Sequence, residues 1–527
     1  MRVKKKPAVA IPFVREQALP SGLRRYLYLT AALTGAAIMI VEILGAKLLS
    51  PYLGTSHFVW TAQIAVTLVA LACGYYAGGW LVDRSPRLGR MYAAILVAGV
   101  YLALTIALHE PVAYFFLQVD LAAGSLLTSL LLFFVPLCLL AMVGPFFIRV
   151  LTISLNGVGG NVGRLTAIST LGSFGGTVLI GYLLIPFLPN SMTMYLTALL
   201  SMLVATAYFL FWGRTRGEKI ATLITLALGG AIGYAGLQDQ RWHGPGTEEL
   251  FRGNSNFGLL QVIQQKTGSY RYYLNDYLTQ NTYDVSEQKS ISMFTYMLHL
   301  LARAYTPRVE DVLCIGLGVG IVPMDFARDG ARVDVVEINP AVVPVATRFF
   351  NFETQKVRLT IGDGRYYLNR CAKQYDAVIL DAFLGDSCPS HLMTRESFQG
   401  IRRILKPEGV LVMNTFAELD GPRDFFGAAL YKTLTNVFPS VLIHKGRNGN
   451  TLFVAGSKPQ LHVLQAPDYS QVYAGCRDLV QDAFARIQEP NPSHGRVLTD
   501  DYNPVEFYDA ANRESLRRSL AMSAKGR

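Results

Sequence analysis

Charge is what this chain has least of. Asp, Glu, Lys and Arg make up only 16% of its 527 residues, against 51% apolar residues. An ordinary soluble domain carries about 25% charged residues, so part of this sequence is not built to face water. Lys and Arg are also missing from alternate loops between the apolar runs. Cysteine is sparse and unpatterned. Cys73 and Cys138 lie in apolar runs, Cys314 in a strand-like run, and Cys371, Cys388 and Cys476 are scattered. With no CxxC and no Cys/His cluster, neither a metal site nor a disulfide framework is expected. No Ser or Cys stands in a triad context with His391, which argues against nucleophilic hydrolysis. The net charge of +11 does not imply nucleic acid, because the basic residues gather at the N-terminus and between apolar runs.

Apolar runs fill the first half. They cover roughly 26–49, 57–82, 89–108, 123–147, 164–188, 191–213 and 218–237, each long enough to cross a bilayer. The first run is full length and lacks a cleavage site, so it reads as a retained span rather than a signal peptide. Before it lies a basic arm, 1–25, with Arg2, Lys4, Lys5, Lys6, Arg15, Arg24 and Arg25. Arg84, Arg87 and Arg90, then Arg149 and Arg164, then Arg214, Arg216 and Lys219 follow the second, fourth and sixth runs. The intervening loops carry His57, His109, Glu110 and Asp120 instead. This asymmetry puts the N-terminus in the cytoplasm of a multi-pass cell-membrane protein. Seven spans would then leave the second half outside. Six, with 218–237 re-entrant or interfacial, would leave it in the cytoplasm. Glu42 and Lys47 are charges inside the first run, where they either pair or serve a function. Gly172, Gly175, Gly176 and Gly181 in the fifth mark close helix packing.

The second half has the alternating pattern of an α/β domain. A polar linker, 238–255, precedes a small β layer at 256–286, with strands near 257–264, 269–275 and 279–284. A helix over about 287–305 opens a Rossmann-like domain, 287–460, and a C-terminal extension covers 461–527. The expected fold is therefore a multi-span α-helical membrane domain followed by an α/β Rossmann-like domain, of the class I methyltransferase type, with a small N-terminal β-hairpin layer. Strands at 312–315, 333–336, 357–361 and 377–380 end respectively on Gly316, Glu337, Asp363-Gly364 and Asp381. Ligands bind at the carboxyl edge of such a sheet. Gly316, Gly318 and Gly320 let the backbone approach a nucleotide-like ligand, and Glu337, 21 residues on, has the spacing of a ribose-binding acid. No lysine follows the glycines, so ATP is disfavoured. Asp381 is the candidate catalytic base.

These motifs together resemble the spermidine synthase (polyamine aminopropyltransferase) family, and more closely its membrane-fused branch. The resemblance covers roughly 257–457. Leu274-Asn275-Asp276-Tyr277-Leu278-Thr279-Gln280 resembles the family's LDGxxQ, which implies that Gln280 touches the donor. Asp363-Gly364 resembles its GDG segment, implying an adenine contact, and Tyr375-Asp376 leads to Asp381 as the strand delivering the catalytic Asp. Glu42-Ile43-Leu44-Gly45-Ala46, Pro51-Tyr52-Leu53-Gly54 and the terminal Thr499–Glu506 run (499–506) also resemble the fused branch. The sequence departs from the family at three acids that should grip cations. Val319 replaces the Asp of GGGDGG, Tyr296 a substrate Glu, and Leu384 the second Asp of DxxDP, which Asp386 is placed to substitute. Tyr296 and Asp386 are thus the expected substrate-binding positions. The function implied is transfer of an aminopropyl group from decarboxylated S-adenosylmethionine to an amine such as putrescine, without a metal. Two alternatives stay open: a methyltransferase using S-adenosylmethionine on the same fold, and a transporter or sensor with a nucleoside-binding domain. Expected partners are a small-molecule amine and the lipid bilayer, not nucleic acid; a homodimer is left open.

Overall fold

The structure is a computed structural model. It describes residues 19–54, 57–152, 158–239, 246–383, 389–490, 493 and 495–507. Asp386, Leu384 and the 513–527 tail lie outside the described residues.

Helices make up the described part of the first half: α1 (Ser21–Leu53), α2 (His57–Arg84), α3 (Leu88–Phe116), α4 (Leu121–Ala141), α5 (Val143–Leu151), α6 (Val158–Leu179), α7 (Ile185–Phe187), α8 (Asn190–Trp212) and α9 (Arg216–Asp239). With α4–α5 and α6–α7 each read as one interrupted helix, seven among the described residues are long and apolar enough to cross a membrane. Residues 216–239 form one continuous helix packed on α3 and α8, with no reversal of the kind a re-entrant segment would need. Small residues set the closest approach, between α1 and α6. A Cβ on Gly172 or Gly176 would strike the α1 backbone at Ala32 or Ala36, whereas Gly175 and Gly181 face open space. Gly181 instead lies in a single π-helical turn, Ile180–Leu184. Only two of the four glycines read as packing devices do that job.

The second half opens with an antiparallel meander: β1 (Thr247–Ser255), β2 (Gly258–Gln265), β3 (Tyr270–Asn275), β4 (Leu278–Asp284) and β5 (Lys289–Ser290). The segment expected to be linker, 238–255, is thus the end of α9 followed by a nine-residue strand. β1 pairs only with β2 and is half-buried along most of its length. An edge strand with one partner tolerates the polar run Thr-Glu-Glu that disguised it. The following helix is shorter than expected: α10 is Met293–Tyr305. Asp284 explains the late start. Its Oδ1 accepts bonds from the Ser286 and Glu287 amides, holding 284–287 as a turn.

Next come β6 (Asp311–Ile315), α11 (Ile321–Arg328), β7 (Arg332–Glu337), α12 (Val342–Phe349), β8 (Arg358–Ile361), α13 (Gly364–Arg370), β9 (Tyr375–Leu380), α14 (Arg395–Ile404), β10 (Leu405–Thr415), α15 (Phe425–Val437), β11 (Ser440–Lys445), β12 (Thr451–Gly456) and α16 (Arg477–Ala485). The large sheet runs β11-β12-β10-β9-β6-β7-β8, with every strand parallel except β12, which runs antiparallel to both of its neighbours. Its central strands are buried on both faces, as a parallel sheet requires. Chain order reverses between β6 and β9, and that switch point is where a doubly wound sheet opens a crevice. The C-terminal extension belongs to the core, which Leu498 and Val505 enter.

Replacing Gly172 by Leu should force α1 from α6 and cost about 1–3 kcal/mol, read as a lower thermal midpoint in detergent. Gly175→Ala should leave the midpoint unchanged.

Candidate active site

The switch point is held open by backbone geometry. The Asp381 amide donates to the Ile315 carbonyl (3.1 Å), so the residues after β6 and β9 run side by side. Gly316 has φ 99°, and a Cβ there would collide with the Asp381 carbonyl. Only glycine meets both demands. Gly318 (φ 55°) continues the turn. Gly320 (φ 86°) sits at the start of α11 and lies against the Phe352 ring, where any side chain would clash. Its role is packing behind the site, since Gly316 and Gly318 line the cavity and Gly320 does not.

That cavity has a volume of about 260 Å³ and gathers most of the expected residues: Gln280, Gly316, Gly318, Glu337, Asp363, Gly364 and Asp381. Glu337 is buried at the end of β7. Its Oε2 accepts the Leu317 amide (2.9 Å) and its Oε1 the Asn339 amide (2.7 Å), which fixes both oxygens at the rim. Burial pushes its pKa up, and those backbone bonds oppose the shift. Asp363 caps α13 through the Tyr366 amide (2.9 Å), and its other oxygen lies 2.9 Å from His391 Nε2.

Asp381 lies at the end of β9, beside Asn414. Desolvation raises its carboxyl to about 6, against a counteracting bond donated by Asn414 Nδ2 to Oδ1 (3.0 Å). Asn414 is itself held: Asn450 Nδ2 donates to its Oδ1 (2.9 Å), and Asn448 Nδ2 to Asn450 Oδ1 (2.8 Å). This amide relay, on β10 and the β11–β12 hairpin, fixes which face of Asn414 meets the carboxylate. Asn414 had a sequence signal: it stands at the carboxyl end of an apolar parallel strand, as Asp381 does. The aromatic walls, Phe257, Tyr273, Phe294, Phe383 and Phe416, had none beyond their hydrophobicity.

Tyr296, an expected substrate contact, falls elsewhere, and neither Val319 nor Asp500 lines the cavity. Tyr296 is buried and donates its hydroxyl to the Ser290 carbonyl (2.7 Å), outside the cavity wall. Helical spacing carries it into the core while Phe294, two residues earlier, reaches the cavity. Val319 is buried in the core. In the terminal acidic run, Asp500 pairs with Arg365 (2.7 Å) and accepts from Thr394 (2.7 Å), so it braces the domain rather than lining the cavity. Asp376, at the opposite sheet edge, takes the Asp311 amide and Lys406.

Electrostatics give the site its sign. Three carboxylates line the cavity, and no Lys or Arg does so among the described residues. A polyphosphate would be repelled, whereas a cation beside an aromatic wall is favoured. His/Cys/Asp/Glu groups of metal-binding geometry are absent among the described residues.

A family model, the spermine/spermidine synthase domain, matches residues 292–419. Over those residues the chain is similar to that family. A polyamine aminopropyltransferase of Vibrio vulnificus is 38% identical over 141 residues, 26% of this chain and 47% of that protein. A probable polyamine aminopropyl transferase of Bifidobacterium longum is 26% identical over 290 residues, 49% of this chain and 62% of the relative. An N-terminal histidine N-methyltransferase of Emericella nidulans is 27% identical over 179 residues, 32% of this chain and 29% of that one. The chain spans about half the length of the two aminopropyltransferases. The match to the synthase-type domain runs from α10 to just past β10, so it includes the glycine turn, Glu337, Asp363, Asp381 and Asn414.

The raised Asp381 pKa predicts a pH-dependent cost. Above pH 6 the folded domain carries an ionised, desolvated carboxylate, a penalty of roughly 3 kcal/mol for a two-unit rise. The penalty fades as the carboxyl protonates, and vanishes below the unfolded value near 4. Asp381→Asn should therefore raise the thermal midpoint at pH 7.5 and leave it unchanged at pH 4. Calorimetry of the two proteins at both pH values checks this.

Proposed function

We propose that this chain is a membrane-anchored aminopropyltransferase, moving an aminopropyl group from decarboxylated S-adenosylmethionine to an amine acceptor such as putrescine. The observation that carries the reading is the acid-lined, Lys- and Arg-free cavity at the switch point, with desolvated Asp381 on its rim. Such a site suits a nucleoside with a positive sulfur.

Glu337 would accept a ribose hydroxyl, since its carboxylate has acceptor capacity beyond the backbone amides that fix it. Asp363 and Gln280 would bind the remaining polar edges of the nucleoside. The donor, when bound, supplies an electrophilic methylene next to a sulfonium, whose C–S electron pair leaves on sulfur as the new C–N bond forms. Asp381 has the chain's part in that chemistry. Its carboxylate draws the protonated amine to the rim, takes the proton that frees the nitrogen lone pair, and is ionised above about pH 6. The Asn414 amide keeps its second oxygen turned inward.

A second reading has one specific observation in its favour. Val319 is apolar and buried where the resembled family carries the acid for the donor's free amine. Intact S-adenosylmethionine carries a carboxylate beside that amine, which an acid there would repel and an apolar residue does not. Incubating the protein with each labelled donor and a diamine separates the two. Aminopropyl transfer supports the first reading, and methyl transfer from the intact donor alone would replace it. In either case kcat/KM should fall on acidification with an apparent pKa near 6, and Asp381→Asn should abolish turnover. A flat profile from pH 5 to 8 would remove Asp381 from its role.

The same proposal puts the synthase-type domain on the non-cytoplasmic face. Arg24, Arg87, Arg90, Arg149 and Arg214 share one end of the helical region, around a single large cavity. The synthase-type domain touches the other end, where His57 meets Glu506 (3.6 Å) and Asn254 Nδ2 donates to the Leu188 carbonyl (2.9 Å). Basic ends face the cytoplasm. A Cys placed at Lys356, in a chain whose native cysteines are replaced by Ser, should label with an impermeant maleimide in intact cells. Labelling only after permeabilisation would reverse the orientation.

A further inference from the structure

The turn joining β3 to β4 is strained. Asp276 and Tyr277, its two central residues, have φ 47° and 62°, the left-handed region in which Asn and Gly are at home. A bulky aromatic there must be held by its surroundings, and strain of this kind gathers where a structure positions something. The next residues, Leu278, Thr279, Gln280 and Asn281, line the cavity.

What holds the turn lies in the helical region. Tyr277 packs against the helical core. Its ring lies 5.8 Å from that of Tyr52, near the end of α1. Tyr52 is fixed in turn by edge contacts with Tyr114 and His109. One turn of helix before Tyr52, Lys47 reaches out of α1 and donates to the Asn256 carbonyl (3.2 Å). It also feels the charge of Asp276. Asn256 is in the β1–β2 turn, and the next residue, Phe257, is part of the cavity wall.

The two turns are themselves joined. Asp276 accepts the Leu259 amide (2.9 Å) and donates its own amide to the Leu259 carbonyl (2.9 Å). Ser255 Oγ accepts from Asn339 Nδ2 (3.1 Å), and Asn339 is the residue whose amide anchors Glu337. A continuous set of bonds thus runs from Lys47 through both turns to the ribose-binding acid.

We propose that Lys47 and Tyr277 form a clamp through which the helical region sets the shape of the nucleoside site. Lys47 is a positioning residue: it touches no cavity atom, but it pins Asn256 and its charge attracts Asp276, keeping Phe257 and the Leu278–Asn281 wall (278–281) in register. The helical region is then part of the transferase site as well as its anchor. The ligand half of this inference rests on the nucleoside-donor reading, whereas the clamp itself does not.

The test uses the full chain in detergent micelles, comparing wild type with Lys47→Met, Lys47→Arg and Tyr277→Gly. Two quantities are measured: hydrogen exchange of the 254–259 and 274–281 amides, and affinity for 5′-methylthioadenosine by calorimetry. Lys47→Met should speed exchange in both turns and weaken the nucleoside about tenfold, as small misplacements in a site do, with the melting midpoint and helical content retained. Lys47→Arg should restore both readouts. Tyr277→Gly relieves the backbone strain yet removes the anchor, so it should also speed exchange. If the wild type bound no adenosyl nucleoside while Lys47→Met still loosened the turns, the clamp would stand and the donor reading would fall. Unchanged exchange and affinity in Lys47→Met and Tyr277→Gly would overturn the clamp.

Discussion

Everything at this site depends on one close passage of backbone. The Asp381 amide bonds to the Ile315 carbonyl, and Gly316 gives the passing chain room by having no side chain. That contact joins the ends of β6 and β9 at the point where strand order reverses. It brings a glycine turn, a ribose-type acid and a desolvated carboxylate around one small cavity. The Asp381 carboxylate is placed by the main chain, then oriented by Asn414 and the asparagines behind it.

The acids in this molecule divide into two kinds. Asp311, Asp376 and Asp500 are paired with Lys or Arg and brace the domain. Glu337, Asp363 and Asp381 face a cavity with no Lys or Arg among its described lining. Pairing holds Asp311 well below the usual carboxylate range, while burial lifts Asp381 to about 6. Physically, the first kind is satisfied within the protein. In the second, Asp363 is shared with His391 and Glu337 with backbone amides, while Asp381 meets the neutral Asn414 amide.

Much of this was legible from residue order. Strand ends carrying Gly, Glu, Asp-Gly and Asp have to meet at one edge of a parallel sheet, and they do. The apolar runs likewise had to be helices, and the structure extends the last of them, 216–239, without a break. What escaped depends on tertiary context. The polar edge strand β1 looks like a linker because one partner suffices for it. Tyr296 could not be told from Phe294 by spacing alone; one faces the core and the other the cavity. Nor does the sequence reveal that Tyr277 is wedged against Tyr52, since 225 residues separate them.

The most direct measurement of the central claim is the affinity of the full chain for a nucleoside sulfonium against its neutral thioether counterpart. Asp381 at the rim should favour the cation by about tenfold or more, since opposite charges roughly 4 Å apart gain several kcal/mol at an effective dielectric near 20. That preference should shrink in Asp381→Asn and on acidification below pH 6. Equal affinity for cation and thioether, or tighter binding of ATP than of either, would contradict the account.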